Sequence, residues 1–395
     1  MSNNFYEFFC PVKIIAGLAA LEHAPFELSS RGASRALLIT DGGIKAAGLL
    51  EHILTVFNKS QVEIQTVFDQ VLADSSLEQV REITGIYRQH DCDSIIAVGG
   101  GSVIDTSKGV NILVSEGGDD LLVYSGHGCL KRPLKPLFVV PTTAGTGSEV
   151  TSVAVIKDSA NERKVGFSSH FLFPDVAILD PRMTQTLPPH ITAMTAMDAL
   201  THACEAAISL AKNPISDAYA HGAIKKISQN LMAVMDNPGD LNGRMELAQA
   251  ATMAGIAFSN SMVGVIHALG HSVGAICHLP HGMCMSIFLP YVLEYNLENC
   301  SEEIAELLLP LAGAERYAQV PAQTRAETSI KVIREMRDQL HQYCELPRTL
   351  KETGKVQKDQ FETIARATLN DGSVIFNAKE VEFNDAMALL ESAWN

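Results

Sequence analysis

Short apolar, β-branched runs alternate with helix-periodic stretches along the first half of the chain. The runs fall at 12–15, 36–40, 64–68, 94–98, 137–140, 152–156 and 176–179. Between several of them, 46–57, 77–90 and 103–114 read as helices. Such alternation predicts a mostly parallel sheet covered by helices, with nucleotide sites at the carboxyl ends of its strands. Near Asp180 the texture changes. Pro181, Pro188 and Pro189 punctuate the chain, and no strand pattern follows them. The stretches 192–210, 217–234, 244–258 and 330–343 are rich in Ala, Leu, Met, Glu and Gln, which are good helix formers. The expected organisation is an α/β domain over 1–185 and an all-helical domain over 186–395, with the boundary inside 181–190.

One apolar stretch changes the picture. From 247 to 293 there is no Asp, Glu, Lys or Arg, yet the stretch holds four histidines, several glycines and prolines 280 and 290. Those polar groups and breaks would be costly in lipid, so buried helices of a soluble core are expected rather than a membrane span. The histidines then need partners. The 395-residue length favours two domains, and the formal charge of −15 disfavours nucleic acid and anionic membrane surfaces as partners. Eight scattered cysteines with no Cys-x-x-Cys pair argue against a disulfide scaffold. The amino terminus has no basic region followed by an apolar core, as a signal peptide would. Free thiols and a cytoplasmic location are therefore expected.

Two loops suit a nucleotide. The run at 94–98 ends in Gly99-Gly100-Gly101-Ser102, then a helical segment. Glycines let backbone amides approach a ligand, and a helix start adds partial positive charge, which together cradle pyrophosphate. This is not the Gly-x-Gly-x-x-Gly fingerprint, and a tight strand-to-helix turn explains a glycine triplet equally well. The second loop, Pro141-Thr142-Thr143-Ala144-Gly145-Thr146-Gly147-Ser148-Glu149, offers small hydroxyls for phosphate or ribose. Such a loop can also simply cap its own backbone. Two loops, each after a strand, favour the nucleotide. Asp41, after the run at 36–40, could accept from a ribose diol and would repel a 2′-phosphate, which favours NAD over NADP. Without the two loops, an Asx-turn into Gly42-Gly43 explains it equally well.

A metal is the other theme. Asp198 and His202 are four apart in a predicted helix and share a face, and His267 and His271 repeat that spacing. His281 follows Pro280 in a turn. One carboxylate with imidazoles makes a set of intermediate hardness, suited to Fe²⁺ or Zn²⁺. Each pair alone more often makes a surface hydrogen bond or binds a carbonyl. The charge-free surroundings shift that balance, because several buried histidines need an answer to their burial cost. Cys277 and Cys284 could ligate a soft metal, but small apolar packing is the preferred reading.

At this point the chain resembles the iron-containing (group III) alcohol dehydrogenase family, from about residue 9 to 394. The carriers are Gly99-Gly-Gly-Ser-Val-Ile-Asp105-Thr-Ser-Lys108, 141–149, Pro174-Asp-Val-Ala-Ile-Leu-Asp-Pro181, Met197-Asp-Ala-Leu-Thr-His202, His267-Ala-Leu-Gly-His271 and Pro280-His-Gly282. The resemblance implies a dehydroquinate synthase-like fold, an α/β dinucleotide domain followed by an all-helical domain, with the site in the cleft between. It implies metal ligands at Asp198, His202, His267 and His281. It implies NAD contacts at Asp41, Gly100, Gly101, Ser102, Thr142, Thr143, Thr146, Ser148 and Lys164. His271 matches a proton-relay position, and Phe258 an aromatic near nicotinamide and substrate. The implied reaction passes a hydride between a primary alcohol or diol and NAD, with Fe²⁺ or Zn²⁺. A homodimer or larger homo-oligomer is implied too. A dehydroquinate synthase-like lyase and a zinc-dependent glycerol dehydrogenase share the fold and are the rival readings. The chain departs from the family's usual pattern at Ala73-Asp74-Ser75-Ser76, at Ala196 and at Asn377-Ala378-Lys379.

Overall fold

Six strands, β1 (Lys13–Ala16), β2 (Arg35–Ile39), β3 (Glu63–Phe68), β4 (Ser94–Gly99), β6 (Leu137–Pro141) and β9 (Val176–Leu179), form one parallel sheet in the order β1-β9-β6-β4-β2-β3. The computed structural model describes residues 5–58, 60–73, 75–161 and 163–395; Asp74, within the departure from the family pattern at 73–76, lies outside them. The central strands are apolar on both faces, as a parallel sheet with helices on each side requires. Leu37, Ile39, Ile95, Ala97, Leu137 and Val139 join one core. Their alternates Ala36, Leu38, Ile96, Val98, Phe138 and Val140 join a second. The first core is closed by α4 (Leu77–Gln89) and α5 (Gly101–Glu116); the second by α1 (Ala24–Ser30) and α3 (Leu49–Phe57).

Two expectations are corrected here. The helix expected over 46–57 is two helices, α2 (Gly42–Ala46) and α3, because Gly48 turns the chain at φ 74°. The apolar run at 152–156 does not join the main sheet. It is part of β7 (Val153–Asp158), which pairs antiparallel with β8 (Arg163–Ser168) in a separate sheet completed by β5 (Gly126–His127). β8 gave no signal, because Lys164 and Gly166 leave its outward face exposed and Arg163 interrupts the apolar pattern of the other.

The chain folds as two compact units. One is Cys10–Thr186; the other takes Leu187–Asn395 and the segment ending at Phe9. The second unit's helices are α6 (Pro189–Ile208), α7 (Pro214–Asp236), α8 (Leu241–Ser259), α9 (Val265–Cys277), α10 (His281–Glu306), α11 (Leu308–Gln319), α12 (Arg325–Cys344), α13 (Phe361–Leu369) and α14 (Phe383–Trp394). Helix α6 is buried nearly all round, and packs against α7, α8 and α10. Its Ala-rich sequence permits that: small side chains let neighbours close in from every side. The charge-free stretch becomes the end of α8, all of α9 and the start of α10. No helix among the described residues is long and apolar enough to cross a membrane.

Candidate functional site

In the helical unit, α6 carries Asp198, His202 and Glu205 at i, i+4 and i+7, on one face. Helix α9 brings His267 and His271. Helix α9 ends with His278 in the left-handed region (φ 54°), and α10 starts at His281. Gly282 lets that start approach α6, for a Cβ there would stand 2.5 Å from the Met194 carbonyl oxygen. Asp198, His202, His267 and His281 each offer a donor atom, all within 4.8 Å of one another. Bonds of about 2.0–2.2 Å to a metal span donors up to about 4.4 Å apart, so a small contraction would close the set.

The chemistry of these four groups fits a cation. Asp198 is 2 % exposed, and its Oδ1 makes no hydrogen bond. Burial alone pushes its carboxyl up to about 8. His281 Nε2 lies 3.4 Å and His202 Nδ1 3.9 Å from that oxygen. His267 Nε2 is also shut from solvent without a hydrogen bond. Burial, helped by His271, holds this imidazole well below its ordinary range, so it is neutral, the form that ligates metal. Its other nitrogen, Nδ1, meets Glu205 Oε2. The second Glu205 oxygen accepts from the Ile266 amide at 2.7 Å. That pairing turns Nε2 toward the cluster, the arrangement found behind metal-ligating histidines. Sequence reasoning missed Glu205; its signal was a carboxylate seven residues after Asp198 on the same apolar helix.

Two further residues flank the four. Phe258 stacks on His202, with ring centroids 4.3 Å apart. His271 stacks on His281 at 5.3 Å and sits at the rim of the cluster. Its Nδ1 is 2.8 Å from Asp371 Oδ2, while Asp371 Oδ1 accepts from the Ser373 amide. Burial pushes the Asp371 carboxyl up, but the His271 and Ser373 hydrogen bonds outweigh it and hold it well below the carboxylate range. Asp371 is 100 residues from His271, and nothing local in the sequence marked it. Among the described residues the metal-competent set contains no cysteine.

In the α/β unit, Gly100 starts α5 with no side chain capping its first turn, which leaves a helix start open to an anion. A Cβ on Gly100 would stand 3.2 Å from Thr143 Oγ1, and one on Gly101 2.8 Å from Thr146 Cγ2. The glycines are therefore required partly to seat the two loops against each other. The Thr142 amide donates to the Gly99 carbonyl at 3.1 Å, which ties the ends of β4 and β6. Lys108, wholly buried on α5, donates to carbonyls of Ser148, Thr151 and Val153, and burial pushes it down to about 8. The Ser148 hydroxyl donates to Asp105 at 2.7 Å, so it braces the second loop.

Ser102 Oγ donates to the Ala73 carbonyl, and Ser75 Oγ donates back to the Ser102 carbonyl at 2.8 Å. The hydroxyl is thus used inside the fold, and the backbone of Ser102 stays in the first turn of α5. Asp41 Oδ1 accepts from the Gly43 and Ile44 amides and caps α2, as the Asx-turn reading had it. Lys164 is exposed on β8, opposite Lys157 on β7.

Comparison with known proteins gives the same chemistry. The family model for iron-containing alcohol dehydrogenase matches residues 11–181, and the model for the C-terminal part of the Fe-containing alcohol dehydrogenase family matches 192–394. The chain is 32 % identical to an NAD-dependent methanol dehydrogenase of Bacillus methanolicus, over 98 % of this chain and 99 % of that one. It is 33 % identical to a 1,3-propanediol dehydrogenase of Klebsiella pneumoniae, over the full length of both. A crystal structure of a 1,3-propanediol oxidoreductase superposes with a TM-score of 0.93 at 32 % identity, over 99 % of this chain and 100 % of that one.

Proposed function

The chain belongs to the iron-containing alcohol dehydrogenase family, and from that premise we propose that Asp198, His202, His267 and His281 hold its divalent metal, with His271 as the proton carrier. The protein is an NAD-dependent alcohol oxidoreductase that moves a hydride between a primary alcohol or diol and the nicotinamide. The observation that carries the ligand assignment is the buried carboxylate–imidazole cluster, with Asp198 Oδ1 and His267 Nε2 unbonded and Glu205 behind His267.

When bound, Fe²⁺ or Zn²⁺ supplies Lewis acidity toward an alcohol or carbonyl oxygen. The rest falls to this chain's own groups. Glu205 orients His267, and the buried helices and Phe258 keep water away from the reacting carbon. Asp371 accepts from His271 Nδ1, which leaves Nε2 as the basic nitrogen that receives the alcohol proton. The uncapped start of α5 at Gly100, Gly101 and Ser102, with Thr142, Thr143 and Thr146 alongside, binds the pyrophosphate through amides and hydroxyls. Asp41 and Lys164 are assigned to the same nucleotide on the resemblance alone, as is Ser148, whose hydroxyl already braces the loop. Residues 1–185 would then serve the dinucleotide and 186–395 the metal.

The test is anaerobic. The metal is stripped, and NADH formation is followed with primary alcohols and diols, with and without added Fe²⁺ or Zn²⁺. One metal should restore turnover and so identify itself. His267→Ala should abolish metal-dependent turnover while leaving the helical content; near-normal activity in that variant removes the ligand assignment. We also infer a cytoplasmic homodimer or larger homo-oligomer from the resemblance, and a species of monomer mass in sedimentation velocity would contradict the assembly.

A further inference from the structure

A cavity lies in the helical unit, on residues that neither the metal cluster nor its neighbours use. It is an open groove of about 610 Å³ between α10, α12 and the turn at Arg348–Glu352. Its wall holds four cations, two acidic side chains, Asp338 and Glu352, and Asn395, on a chain whose formal charge is −15. Arg334 and Arg337, three residues apart on one face of α12, are joined by Arg348 and Lys351. Tyr291 of α10 forms an aromatic floor: the Arg334 guanidinium lies 4.6 Å and that of Arg337 5.7 Å from its ring centroid.

These cations are not equivalent. Arg334 is paired with Glu294 at 2.7 Å. Arg348 is paired with Glu352 at 2.7 Å and faces Asp338 at 3.9 Å. Arg337 is 5 % exposed, and its Nε and Nη1 are shut from solvent with no hydrogen bond. Among the described residues it has no ion pair, and neither does Lys351 at the rim. A guanidinium keeps its charge at any accessible pH, so burying one unpaired is costly. Elsewhere the chain meets that cost with its own groups. Arg244, also buried, donates to the Thr192 hydroxyl at 2.8 Å and the Pro238 carbonyl at 3.1 Å. At Arg337 no protein acceptor is supplied.

We propose that this cavity binds a small oxyanion of two or more negative charges, a phosphate- or carboxylate-bearing molecule held by Arg337 and Lys351 above Tyr291. An oxyanion would offset the buried charge from the part of the guanidinium that is not shut from solvent, since carboxylate and phosphate oxygens are the acceptors that a charged donor binds most strongly. The volume leaves room for an organic body attached to the charged group. The site stands apart from the metal chemistry, and its existence does not depend on the dehydrogenase reading.

Isothermal titration calorimetry on the metal-loaded full chain tests this, with NAD saturating so that the α5 start is filled, and at constant ionic strength set with chloride. The probes are inorganic phosphate and citrate, and the tighter one tells phosphate from carboxylate chemistry. One saturable site per chain is expected, weakened at least tenfold in Arg337→Gln and several-fold in Lys351→Gln. Alcohol turnover at saturating NAD should be unchanged in both variants. Should Arg337→Gln fail to fold, Lys351→Gln, at an exposed position, decides alone. Absence of saturable binding by both probes, or unchanged affinity in the folded variants, overturns the proposal. So does a smaller assembly in sedimentation velocity of Arg337→Gln with neither probe binding the parent protein, because the guanidinium then serves a second copy of the chain.

Discussion

Glu205 and Asp371 each stand behind one histidine, and the two pairings predict separable defects. Glu205→Gln keeps a hydrogen-bonding group but removes the charge behind His267. Metal affinity should fall about 10- to 100-fold, the usual cost of losing such a partner. Titration of metal into stripped protein checks this, and undiminished affinity would show that His267 needs no such support. Asp371→Asn leaves His271 Nδ1 without its anionic partner. Here kcat should drop about 10- to 100-fold with metal content unchanged, since proton transfer rather than ligation loses its support. Loss of metal from Asp371→Asn would contradict that division. At this scale the sequence was legible wherever partners share a helix turn. Asp198 with His202 and His267 with His271 stand out by spacing alone. Glu205 was overlooked because a single carboxylate a heptad away forms no recognised pair. Asp371 could not be found, because only the tertiary fold brings it to His271.

Strands and helices were readable where burial imposes a period, and unreadable where it does not. The runs at 36–40, 94–98 and 137–140 lie buried on both faces in β2, β4 and β6. β8 is solvated on its outward face and carried no comparable signal. The break between α2 and α3 was lost because one left-handed glycine barely alters the apolar spacing. Loop seating is also an element-scale matter. Gly101→Ala drives a Cβ to 2.8 Å from Thr146 Cγ2 and should push the second loop off the α5 start. NADH affinity, read by fluorescence titration, should weaken about tenfold, a loss worth about 1.4 kcal/mol. Thr146→Ser removes that methyl group and keeps the hydroxyl, so the double variant should recover most of the affinity. Equal loss in the single and double variants would assign the glycine a different duty.

Across the whole α/β unit, the sheet is fastened at β1 and β9 by ion pairs that acid should undo. Asp180, just after β9, is wholly shielded; burial raises its carboxyl, but Arg182 and the Leu21 and Arg182 amides outweigh that and depress it. Glu27 is depressed chiefly by Lys13 of β1, then by Arg31. A depressed carboxyl contributes stability that is complete above its unfolded value, about 4, and is lost as pH falls through the folded value. Urea midpoints for this unit should therefore fall steeply below about pH 4, and Asp180→Asn should flatten that fall. The Glu27 part will be smaller, because Lys13 is half exposed and solvent screens it. A parallel decline in both proteins would mean that other carboxylates govern acid unfolding.

The strand order also sets a schedule. β1 is made first, yet its hydrogen-bonding partner is β9, the last strand of the sheet to be synthesised. While a ribosome builds the chain, β2, β3, β4 and β6 can assemble, but β6 stays an uncovered edge, and β1 unpaired, until residues 176–179 emerge. Open margins invite pairing with other chains. At translation rates of about 5–20 residues per second, the interval between completing β6 and releasing β9 is a few seconds. During that interval the nascent protein carries β6, a fully buried strand of the finished sheet, as its exposed apolar edge.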